Sequence, residues 1–451
     1  MNILLLGSGG REHAIARALR RDDAVDVLYI APGNPGLAAL GTLVDLDILD
    51  GEAVASFAAA RGVDLVVVGP EAPLVAGVAD AVREAGIDVF GPSAEAARLE
   101  GSKAFAKEVM ASANVPTAGS RPCVTLAEVE AALDVFGAPY VVKDDGLAAG
   151  KGVVVTNEKS EALAHARDCL DKPAGKVVIE DYLDGPEVSL FCLCDGRTAL
   201  PLEPAQDYKR ARDGGAGPNT GGMGSYSPLP WADPGLVNAV TEEIAQPVVD
   251  EMARRGTPFV GVLYCGLALT SDGVKVVEFN VRFGDPETQS VLARLRTPLA
   301  WLLRAAARGE LGGEALEWTS DAAVTVVLAA AGYPGPVRTG DPVKGLAAAE
   351  ATAGVHVIHA GTWNAAEGAR NAEGAALVEA AEVRDSTGNS HANERVSGAY
   401  TGDSLVSAGG RVLACVGMGA DVAAARRAAY AAIGEIELAG SHFRRDIAAD
   451  V

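Results

Sequence analysis

The chain has 451 residues, of which 49% are apolar and 22% charged. This length is typical of roughly two to four domains, and the composition is that of a globular protein. The formal net charge of −22 argues against nucleic-acid binding, which depends on neutralising phosphates with cations. Small anionic substrates remain compatible with it, because charges are screened beyond about 8 Å at physiological salt and a few local cations outweigh distant acids.

The sequence predicts neither a membrane span nor a secretory leader. Residues 1–6 lack basic residues and are typical of a buried strand. The longest apolar stretch, at 322–331, is about half of the roughly 20 residues that a transmembrane helix needs. The six cysteines are scattered, as is typical of free thiols in a reducing compartment. We therefore expect a cytoplasmic protein with small-molecule partners, either a monomer or a weak dimer.

In chain order, the first hundred residues alternate between strand-like and helix-like patterns. Apolar runs predict strands at 3–6, 25–30, 65–68 and 89–90, with helices at 11–21 and 74–85. This alternation is typical of an open, mostly parallel α/β sheet. Glycines such as Gly9 and Gly69 fall at predicted strand ends, where ligands bind such sheets.

The middle of the chain predicts shorter, more varied elements. Ser102 is a good N-cap for a helix that runs to about residue 111. Strands are predicted at 140–142, 153–156, 177–180, 262–270 and 274–283. Residues 195–235 are rich in Gly, Pro, Asp and Asn, which predicts a long ordered or closing loop.

A C-terminal module is predicted from about Asp321. Its strands are predicted at 324–330, 355–359 and 411–416, followed by a helix at 422–433. Between residues 364 and 408 the chain is rich in Ala, Gly, Ser and Glu with weak periodicity, which predicts a variable surface loop. Deletion within 366–406 is therefore expected to leave activity largely intact.

The segment Gly7-Ser8-Gly9-Gly10-Arg11-Glu12-His13 lies between a predicted strand and a predicted helix. Glycines at this position let backbone N–H groups approach a phosphate, although a tight turn without a ligand is the alternative. A dinucleotide fits poorly, because Glu12 replaces the third glycine and no acid follows the second strand. His13 is either catalytic or a capping or packing histidine. His356 and His359 lie three apart in a strand and cannot share a metal ion.

A hairpin between two predicted strands contains two lysines, Lys143 and Lys151, around a Gly/Ala-rich turn. It is not a P-loop, because Gly152 and a strand follow Lys151 in place of Ser or Thr and a helix. Such a hairpin can fold over a triphosphate, and an ordinary exposed hairpin is the alternative. Downstream, a strand ending at Glu180 leads into a hinge whose backbone suits an adenine edge, and Glu187 suits ribose hydroxyls.

Three polar residues alternate with apolar ones near residue 280. Glu278, Asn280 and Arg282 are each two residues apart, so in a strand they share one face. A carboxylate and an amide oxygen suit Mg²⁺, and an arginine beside them can hold a phosphate or a carboxylate. A row of polar groups on an apolar strand predicts a metal and phosphate site, with a solvent-facing edge as the alternative.

These motifs, in this order, resemble the ATP-grasp superfamily, and longer strings resemble the phosphoribosylamine–glycine ligase family. The strings are GSGGREHA (7–14), APGNPG (31–36), VGPEAPL (68–74), FGPS (90–93), LEGSKAFAK (99–107), KDDGLAAGKGV (143–153), GPNTGGMGSYSP (217–228) and EFNVRFGDPETQ (278–289). The similarity covers residues 1 to about 360 and resumes at 409–447.

The resemblance implies a multidomain protein of α/β and α+β class. Its parts would be an N-terminal open parallel α/β substrate domain (1–103), an ATP-grasp core (104–320) with a mobile small subdomain at about 122–190, and a small β-rich C-terminal domain (321–451). The implied reaction joins glycine to 5-phosphoribosylamine with ATP, giving glycinamide ribonucleotide, ADP and phosphate in de novo purine biosynthesis. Because no acyl-enzyme nucleophile is present in the motifs, glycyl phosphate is the predicted intermediate.

The resemblance also implies the roles of individual residues. ATP would contact Lys103, Lys143, Lys151, Glu180, Leu183 and Glu187. Mg²⁺ or Mn²⁺ would bind Glu278 and Asn280, and the catalytic residues would be Lys143 and Arg282. Phosphoribosylamine and glycine would lie near Gly9, Gly10, Arg11, Glu12, Asp207, Lys209, Asn219, Thr220 and Gly221.

The sequence departs from the family pattern at three places. Asp144 replaces an alanine beside the phosphate loop, Val281 replaces a frequent cysteine, and residues 364–408 form a longer stretch than usual. One rival function is ATP-grasp ligation of a different amine. Another is a nucleotide-sensing protein, which would bind ATP without glycine-dependent ADP release.

Overall fold

The computed structural model describes residues 1–146, 152–312, 315–365, 393–395 and 404–451, with the backbone alone at 393–395. No helix in these ranges is long and apolar enough to cross a membrane. The motifs lie in three successive regions of the chain, each built from sheet and helix.

The N-terminal region is built on a parallel sheet with strand order β3-β2-β1-β4-β5. Its strands are β1 (Asn2–Gly7), β2 (Val27–Pro32), β3 (Thr42–Asp45), β4 (Leu65–Val68) and β5 (Asp88–Phe90), and its helices are α1 (Gly10–Leu19), α2 (Gly51–Ala60), α3 (Glu71–Val75), α4 (Val78–Glu84) and α5 (Ala94–Gly101). The central β1 is apolar on both faces because helices cover both. The prediction of an open parallel α/β sheet is confirmed.

A helix and a small sheet follow. Helix α6 (Lys103–Ser112) begins at Ser102, whose hydroxyl accepts the backbone N–H of Phe105 as predicted for an N-cap. The small sheet has the order β6-β9-β7-β8. Its elements are β6 (Ser120–Cys123), α7 (Leu126–Phe136), β7 (Tyr140–Asp144), β8 (Val153–Thr156), α8 (Lys159–Leu170) and β9 (Val177–Glu180). This unit buries its own apolar cluster, which supports the expected small subdomain, and its mobility stays a prediction.

The larger antiparallel sheet has the order β11-β10-β16-β17. Its strands are β10 (Glu187–Asp195), β11 (Ala199–Pro201), β16 (Val260–Thr270) and β17 (Gly273–Asn280). Helices α9 (Leu236–Val240), α10 (Gln246–Arg254) and α12 (Leu299–Arg308) belong to this region, while α11 (Glu287–Arg294) packs against α1 of the N-terminal region. All six cysteines of the chain are free and buried, in keeping with the expected thiols.

The prediction of one long loop at 195–235 is wrong. Besides β11, this stretch contains β12 (Gln206–Asp207), β13 (Arg210–Arg212), β14 (Ala216–Asn219) and β15 (Gly224–Ser227). These strands are only two to four residues long, too short for a periodic pattern. Strand β15 pairs with β18 (Ala322–Ala329), from a distant part of the chain, while β12 pairs with β15 and β13 with β14.

The C-terminal region forms a sheet of order β12-β15-β18-β23-β19. The remaining elements are α13 (Leu346–Glu350), β19 (Val355–His359), β20 (Thr362–Asn364), β21 (Asn393–Arg395), β22 (Leu405–Ser407), β23 (Arg411–Gly419) and α14 (Val422–Gly434). Two short strands from the middle of the chain, β12 and β15, therefore extend this sheet, and β12 carries the predicted site residue Asp207.

The prediction of a surface loop at 364–408 is wrong at the two ends that the structure describes. Strand β20 pairs with β22, in which Leu405 is buried. The backbone of β21 pairs with β3 of the N-terminal sheet. Residues 366–392 and 396–403 lie outside the described residues. A deletion that reaches residue 406 would remove paired backbone, so the tolerance expected of a loop does not extend to that end.

Candidate active site

The buried Lys143 joins the small subdomain to the large antiparallel sheet. Its Nζ donates a hydrogen bond to the backbone oxygen of Val277 on β17 at 2.9 Å, and it lies 2.9 Å from Glu180 Oε2. Lys107 Nζ lies 3.2 Å from the same oxygen. Burial lowers the pKa of Lys107 to about 8, despite the adjacent Glu180 carboxylate. The Glu180 side chain is thus paired with two lysines, so a contact with adenine would use its backbone.

The residues that precede the predicted phosphate loop contact the start of α6. Lys103 Nζ donates to the backbone oxygen of Gly146 at 3.2 Å, and the Asp145 carboxylate accepts the backbone N–H of Ala104 at 2.7 Å. The unusual Asp144 is buried and forms an ion pair with Lys172 at 2.5 Å, which neutralises its charge. Lys151 and the turn at 147–150 lie outside the described residues.

Glu278 is an ionised carboxylate surrounded by cations. Burial raises its pKa, but Lys209, Lys143, Lys103 and Arg282 more than offset this effect and hold the pKa below its ordinary value. Within the described residues its oxygens form no hydrogen bond or ion pair. Its oxygens are therefore free for another ligand.

Arg282 follows β17 and links it to the N-terminal region. Its guanidinium pairs with Glu100 at 3.0 Å and with Glu71 at 3.3 Å, and it donates to Asn280 Oδ1 at 3.4 Å. Burial raises the pKa of Glu71, but Arg282 and Arg11 outweigh it and lower the pKa to about 2. Arg282 lies beside the predicted metal residues, with its charge already shared between two carboxylates. Its catalytic role stays a prediction.

The N-terminal glycine loop is packed against the residues before α11. Glu12 is buried and folds back, its carboxylate accepting the Gly9 N–H at 2.7 Å and pairing with Arg11 at 2.6 Å. A Cβ at Gly10 would lie 2.9 Å from Gln289 Nε2 and 3.6 Å from Asp285 Oδ1. The loop thus lies close to Asp285, and the Glu12 carboxylate holds the loop through its hydrogen bond with the Gly9 N–H.

Asp207, Lys209 and Glu187 form a charged group near Glu278. Lys209 Nζ lies 2.6 Å from Glu187 Oε2, and burial raises the pKa of Asp207 although Lys209 opposes this. The nearby Glu287 is buried and accepts a hydrogen bond from Tyr264 Oη at 2.6 Å. The structure therefore brings the predicted ribose residue together with predicted substrate residues. Leu183 lies half-buried between β9 and β10.

The loop after Asn219, which ends β14, is held from the C-terminal region. The Thr220 hydroxyl donates to the backbone oxygen of Lys209 at 2.8 Å and accepts the Gly222 N–H at 3.0 Å, so it serves the loop itself. Gly222 has φ +113°, and a Cβ there would lie 2.4 Å from Pro286, which requires glycine.

Arg411 is the residue that sequence reasoning missed. Its Nη1 donates to the backbone oxygens of Gly221 and Asp285, each at 2.6 Å, and its Nη2 lies 3.2 Å from Asp285 Oδ2. Tyr333 Oη accepts the Gly221 N–H at 3.0 Å. The one available signal was the pair of glycines before Arg411 at the start of a strand.

The histidine pair His13 and His359 joins the N-terminal and C-terminal regions. The backbone N–H of His359 donates to His13 Nδ1 at 2.9 Å, and the ring centroids lie 5.7 Å apart. Asn34 Nδ2 donates to the His359 backbone oxygen at 3.1 Å. Of the alternatives left open for His13, the structure supports packing between regions.

Within the described residues, no three His, Cys, Asp or Glu side chains are arranged to hold a metal ion. A cation at Glu278 and Asn280 would need further oxygen ligands, such as those of nucleotide phosphates. The buried Lys143, the strand that ends at Glu180 and the acidic Glu278 near the end of β17 meet between two antiparallel sheets. These are features of an ATP-grasp protein.

Family models for phosphoribosylglycinamide synthetase match the chain in three parts. The N domain matches residues 1–100, the ATP-grasp (A) domain 101–288 and the C domain 323–450. A curated relative from Streptomyces coelicolor, named phosphoribosylamine–glycine ligase, is 58% identical over 100% of this chain and 99% of its own length. The chain therefore belongs to the phosphoribosylglycinamide synthetase family and is an ATP-grasp ligase, as the motifs predicted.

Solved structures agree with this assignment. A phosphoribosylamine–glycine ligase from Thermotoga maritima is 30% identical, with a TM-score of 0.79 over 99% of this chain and 100% of that chain. A biotin carboxylase domain of 2-oxoglutarate carboxylase from Hydrogenobacter thermophilus, solved with MgADP, is 15% identical with a TM-score of 0.67, covering 98% of this chain and 91% of that one. The second likeness shows a shared fold alone.

Proposed function

We propose that this ligase joins glycine to 5-phosphoribosylamine with ATP, giving glycinamide ribonucleotide, ADP and phosphate. The observation that carries the proposal is the ionised Glu278, whose oxygens are free among four cations. This arrangement suits a nucleoside triphosphate and its metal ion. The substrates are those of the curated relative's printed name, which supports the choice of amine.

The predicted metal residues fit a hard divalent cation. Glu278 presents an ionised carboxylate, and Asn280 Oδ1 has one long contact, at 3.4 Å from Arg282. Oxygen donors of this kind suit Mg²⁺ or Mn²⁺. A bound ion would neutralise the charge of the ATP phosphates beside it.

The proposed roles of the chain follow from where its cations lie. Lys143 and Lys103, with Lys151 predicted from sequence, would bind ATP phosphates. The backbone near Glu180 and Leu183 would hold adenine, and Glu187 the ribose. Arg282 would keep Asn280 in place beside the phosphates through its contact at 3.4 Å.

The amine and glycine would lie on the side where the N-terminal and C-terminal regions meet. There the Gly9–Gly10 loop stands against Asp285, and Arg411 joins Asp285 to Gly221. Backbone N–H groups of the glycine loop suit the phosphate of phosphoribosylamine. Asp207 and Lys209, with the loop of Asn219, Thr220 and Gly221, complete this side.

The proposed chemistry has two steps. A carboxylate oxygen of glycine attacks the γ-phosphorus of ATP, and the bond from that phosphorus to the ADP oxygen breaks. The nitrogen of phosphoribosylamine then attacks the carbonyl carbon of glycyl phosphate, releasing phosphate and a proton. The lysines around Glu278 would hold the phosphate charge during both steps. Exclusion of water protects the acyl phosphate from hydrolysis.

The test is the substrate dependence of ADP release by the full chain. ADP should form when ATP, Mg²⁺, glycine and phosphoribosylamine are all present, and its rate should fall to background when glycine or the amine is left out. ADP release that ignores the omission of glycine contradicts the proposal. Release that needs glycine and a different amine supports the rival ligase.

A further inference from the structure

A cavity outside the proposed active site lies between α1, α11 and the C-terminal sheet. Its volume is about 230 Å³, somewhat below that of a drug-sized pocket. Its polar lining comes from Arg17, Arg20, Arg21, Gln289 and His356, and the rest of the lining is apolar. The three arginines and His356 have no place in the nucleotide or amine side described above, whereas Gln289 also contacts Asp285 of the amine side.

The cavity concentrates positive charge on an acidic protein. Arg17, Arg20 and Arg21 lie three and four residues apart at the end of α1, so they share one side. None of them forms an ion pair with an acid in the described part of the chain. Burial lowers the pKa of Arg17, an effect that the exposed Glu350 partly opposes. No carboxylate of the described residues thus lies within ion-pair distance of the three guanidinium groups, and Glu350 acts on Arg17 from further away.

Cations at the end of a helix have an ordinary explanation, which covers part of this group. They complement the negative end of the helix dipole, and Arg21 donates to the backbone oxygen of Leu292 at 2.7 Å, near the end of α11. Arg20 donates to the backbone oxygen of Val25 at 3.2 Å. Arg17 forms no side-chain hydrogen bond with any described residue, so it is the cation left over.

Gln289 provides a second, independent observation. It is 3% exposed, and its Nε2 donates to Asp285 Oδ1 at 2.8 Å. Its Oε1 is buried and has no hydrogen-bond partner among the described residues. A buried acceptor without a donor is costly. This unpaired acceptor belongs to a residue that lines the cavity.

We propose that this cavity is a second binding site, for a small phosphate monoester of the sugar phosphate class. Its phosphate would accept hydrogen bonds from Arg17, with Arg20 and Arg21 adding charge. Its carbon skeleton would pack on the apolar lining of Leu40, Leu292, Ile358 and Val416. A dianionic phosphate matches three guanidinium groups better than a single carboxylate does. The inference does not depend on which amine the ligase uses.

The test is calorimetric titration of the full chain with ribose 5-phosphate. The proposed amine site can also bind this probe. The readout is therefore the part of the binding isotherm that changes in Arg17→Gln. One lost charge-assisted contact should weaken that component about tenfold to a hundredfold. Ala293→Leu, which narrows the cavity from a half-buried position, should weaken it while all three arginines remain.

Arg427→Gln is the matched control, because Arg427 is exposed on α14 away from the cavity. This variant should leave the binding at the amine site, the binding at the cavity and the basal turnover unchanged. Arg17→Gln should also leave the basal turnover unchanged. Identical isotherms for the wild type, Arg17→Gln and Ala293→Leu would overturn the inference. So would an equal loss in Arg427→Gln, which would show only general charge attraction.

A second titration with inorganic phosphate tests the ligand class. Ribose 5-phosphate should bind to the Arg17-dependent component about fivefold more tightly than inorganic phosphate does, because its sugar adds contact with the apolar lining. Equal binding of both probes would contradict a sugar phosphate site.

Discussion

The Nζ atom of Lys143 lies 2.9 Å from the carboxylate of Glu180, across two neighbouring strands of the small sheet. The same atom lies 2.9 Å from the backbone oxygen of Val277. One ammonium group therefore connects the small subdomain, its hinge strand and the strand that carries Glu278. A phosphate that binds Lys143 would therefore lie where these three parts of the molecule meet.

Lys143→Met should lower turnover about 10²–10³-fold, because it removes a cation that stabilises phosphate charge in the transition state. Methionine keeps most of the buried aliphatic chain, and Lys107 still pairs with Glu180. The measurement is kcat from ADP release beside a thermal unfolding curve. Lys159→Met, at an exposed ion pair with Asp134, is the control. A folded Lys143→Met protein with normal turnover would show that the site is assigned wrongly.

Glu278→Gln should also lower turnover about 10²–10³-fold, because the substitution removes the negative charge and keeps the size of the side chain. The metal concentration needed for half-maximal rate should rise, since a neutral amide binds a divalent cation less well. Steady-state rates across a Mg²⁺ or Mn²⁺ titration measure both effects. Asp272→Asn, at an exposed carboxylate of the same hairpin, should behave as wild type. An unchanged metal dependence in Glu278→Gln would remove this residue from the metal site.

Arg411→Ala should lower kcat/KM for phosphoribosylamine about tenfold to a hundredfold, because two charge-assisted contacts that join Gly221 to Asp285 are lost. The KM for ATP should change little, since Arg411 lies on the amine side. Initial rates at varied amine and at varied ATP separate the two effects. Arg427→Ala is the control, and a loss confined to ATP would contradict the placement.

The difference between Lys143 and Arg411 shows what the sequence could predict. Lys143, Glu278 and Asn280 stand in local strings whose spacing alone predicts a strand end or a shared face. Arg411 acts on Gly221, 190 residues away, and no local pattern records that contact. The short strands at 206–227 were missed because they are too short to show a period, and β15 is in addition stabilised by β18 from a distant part of the chain. Long buried strands such as β1 were predicted because a strand that is buried on both faces needs apolar residues at successive positions.

The pair of His13 and His359 should make the protein sensitive to acid. Burial lowers the pKa of His359 to about 4. Burial also holds the pKa of His13 well below its ordinary value, with smaller effects of repulsion from a protonated His359 and from Arg17. His13 Nδ1 accepts a backbone N–H, so protonation at that atom would break the contact between regions. Both histidines are therefore neutral in the fold.

Because the unfolded chain takes up these protons first, the free energy of unfolding should fall as the pH drops from about 6.5 to 4 and be fully recovered above 6.5. His359 alone contributes up to about 3 kcal/mol across this window. Chemical denaturation at several pH values measures the effect. His359→Asn should flatten the curve, while His165→Asn, at a half-buried histidine in the small subdomain, should not. An equally steep fall in His359→Asn would locate the acid sensitivity elsewhere.

The last prediction concerns the intermediate. A carboxylate is a poor acylating agent because its leaving group would be oxide, so its reaction with an amine at neutral pH needs activation. In the proposed site the cations around Glu278 would stabilise phosphoryl transfer, and the six cysteines are buried free thiols outside that site. We therefore expect one oxygen of glycine to pass to the γ-phosphate of ATP and leave with it. Turnover with glycine labelled with ¹⁸O in its carboxylate should place one labelled oxygen in each released phosphate, measured by mass spectrometry. Reaction in labelled water with unlabelled glycine is the control and should leave the phosphate unlabelled. Phosphate that carries no oxygen from glycine would rule out the acyl phosphate and require a different route to the amide.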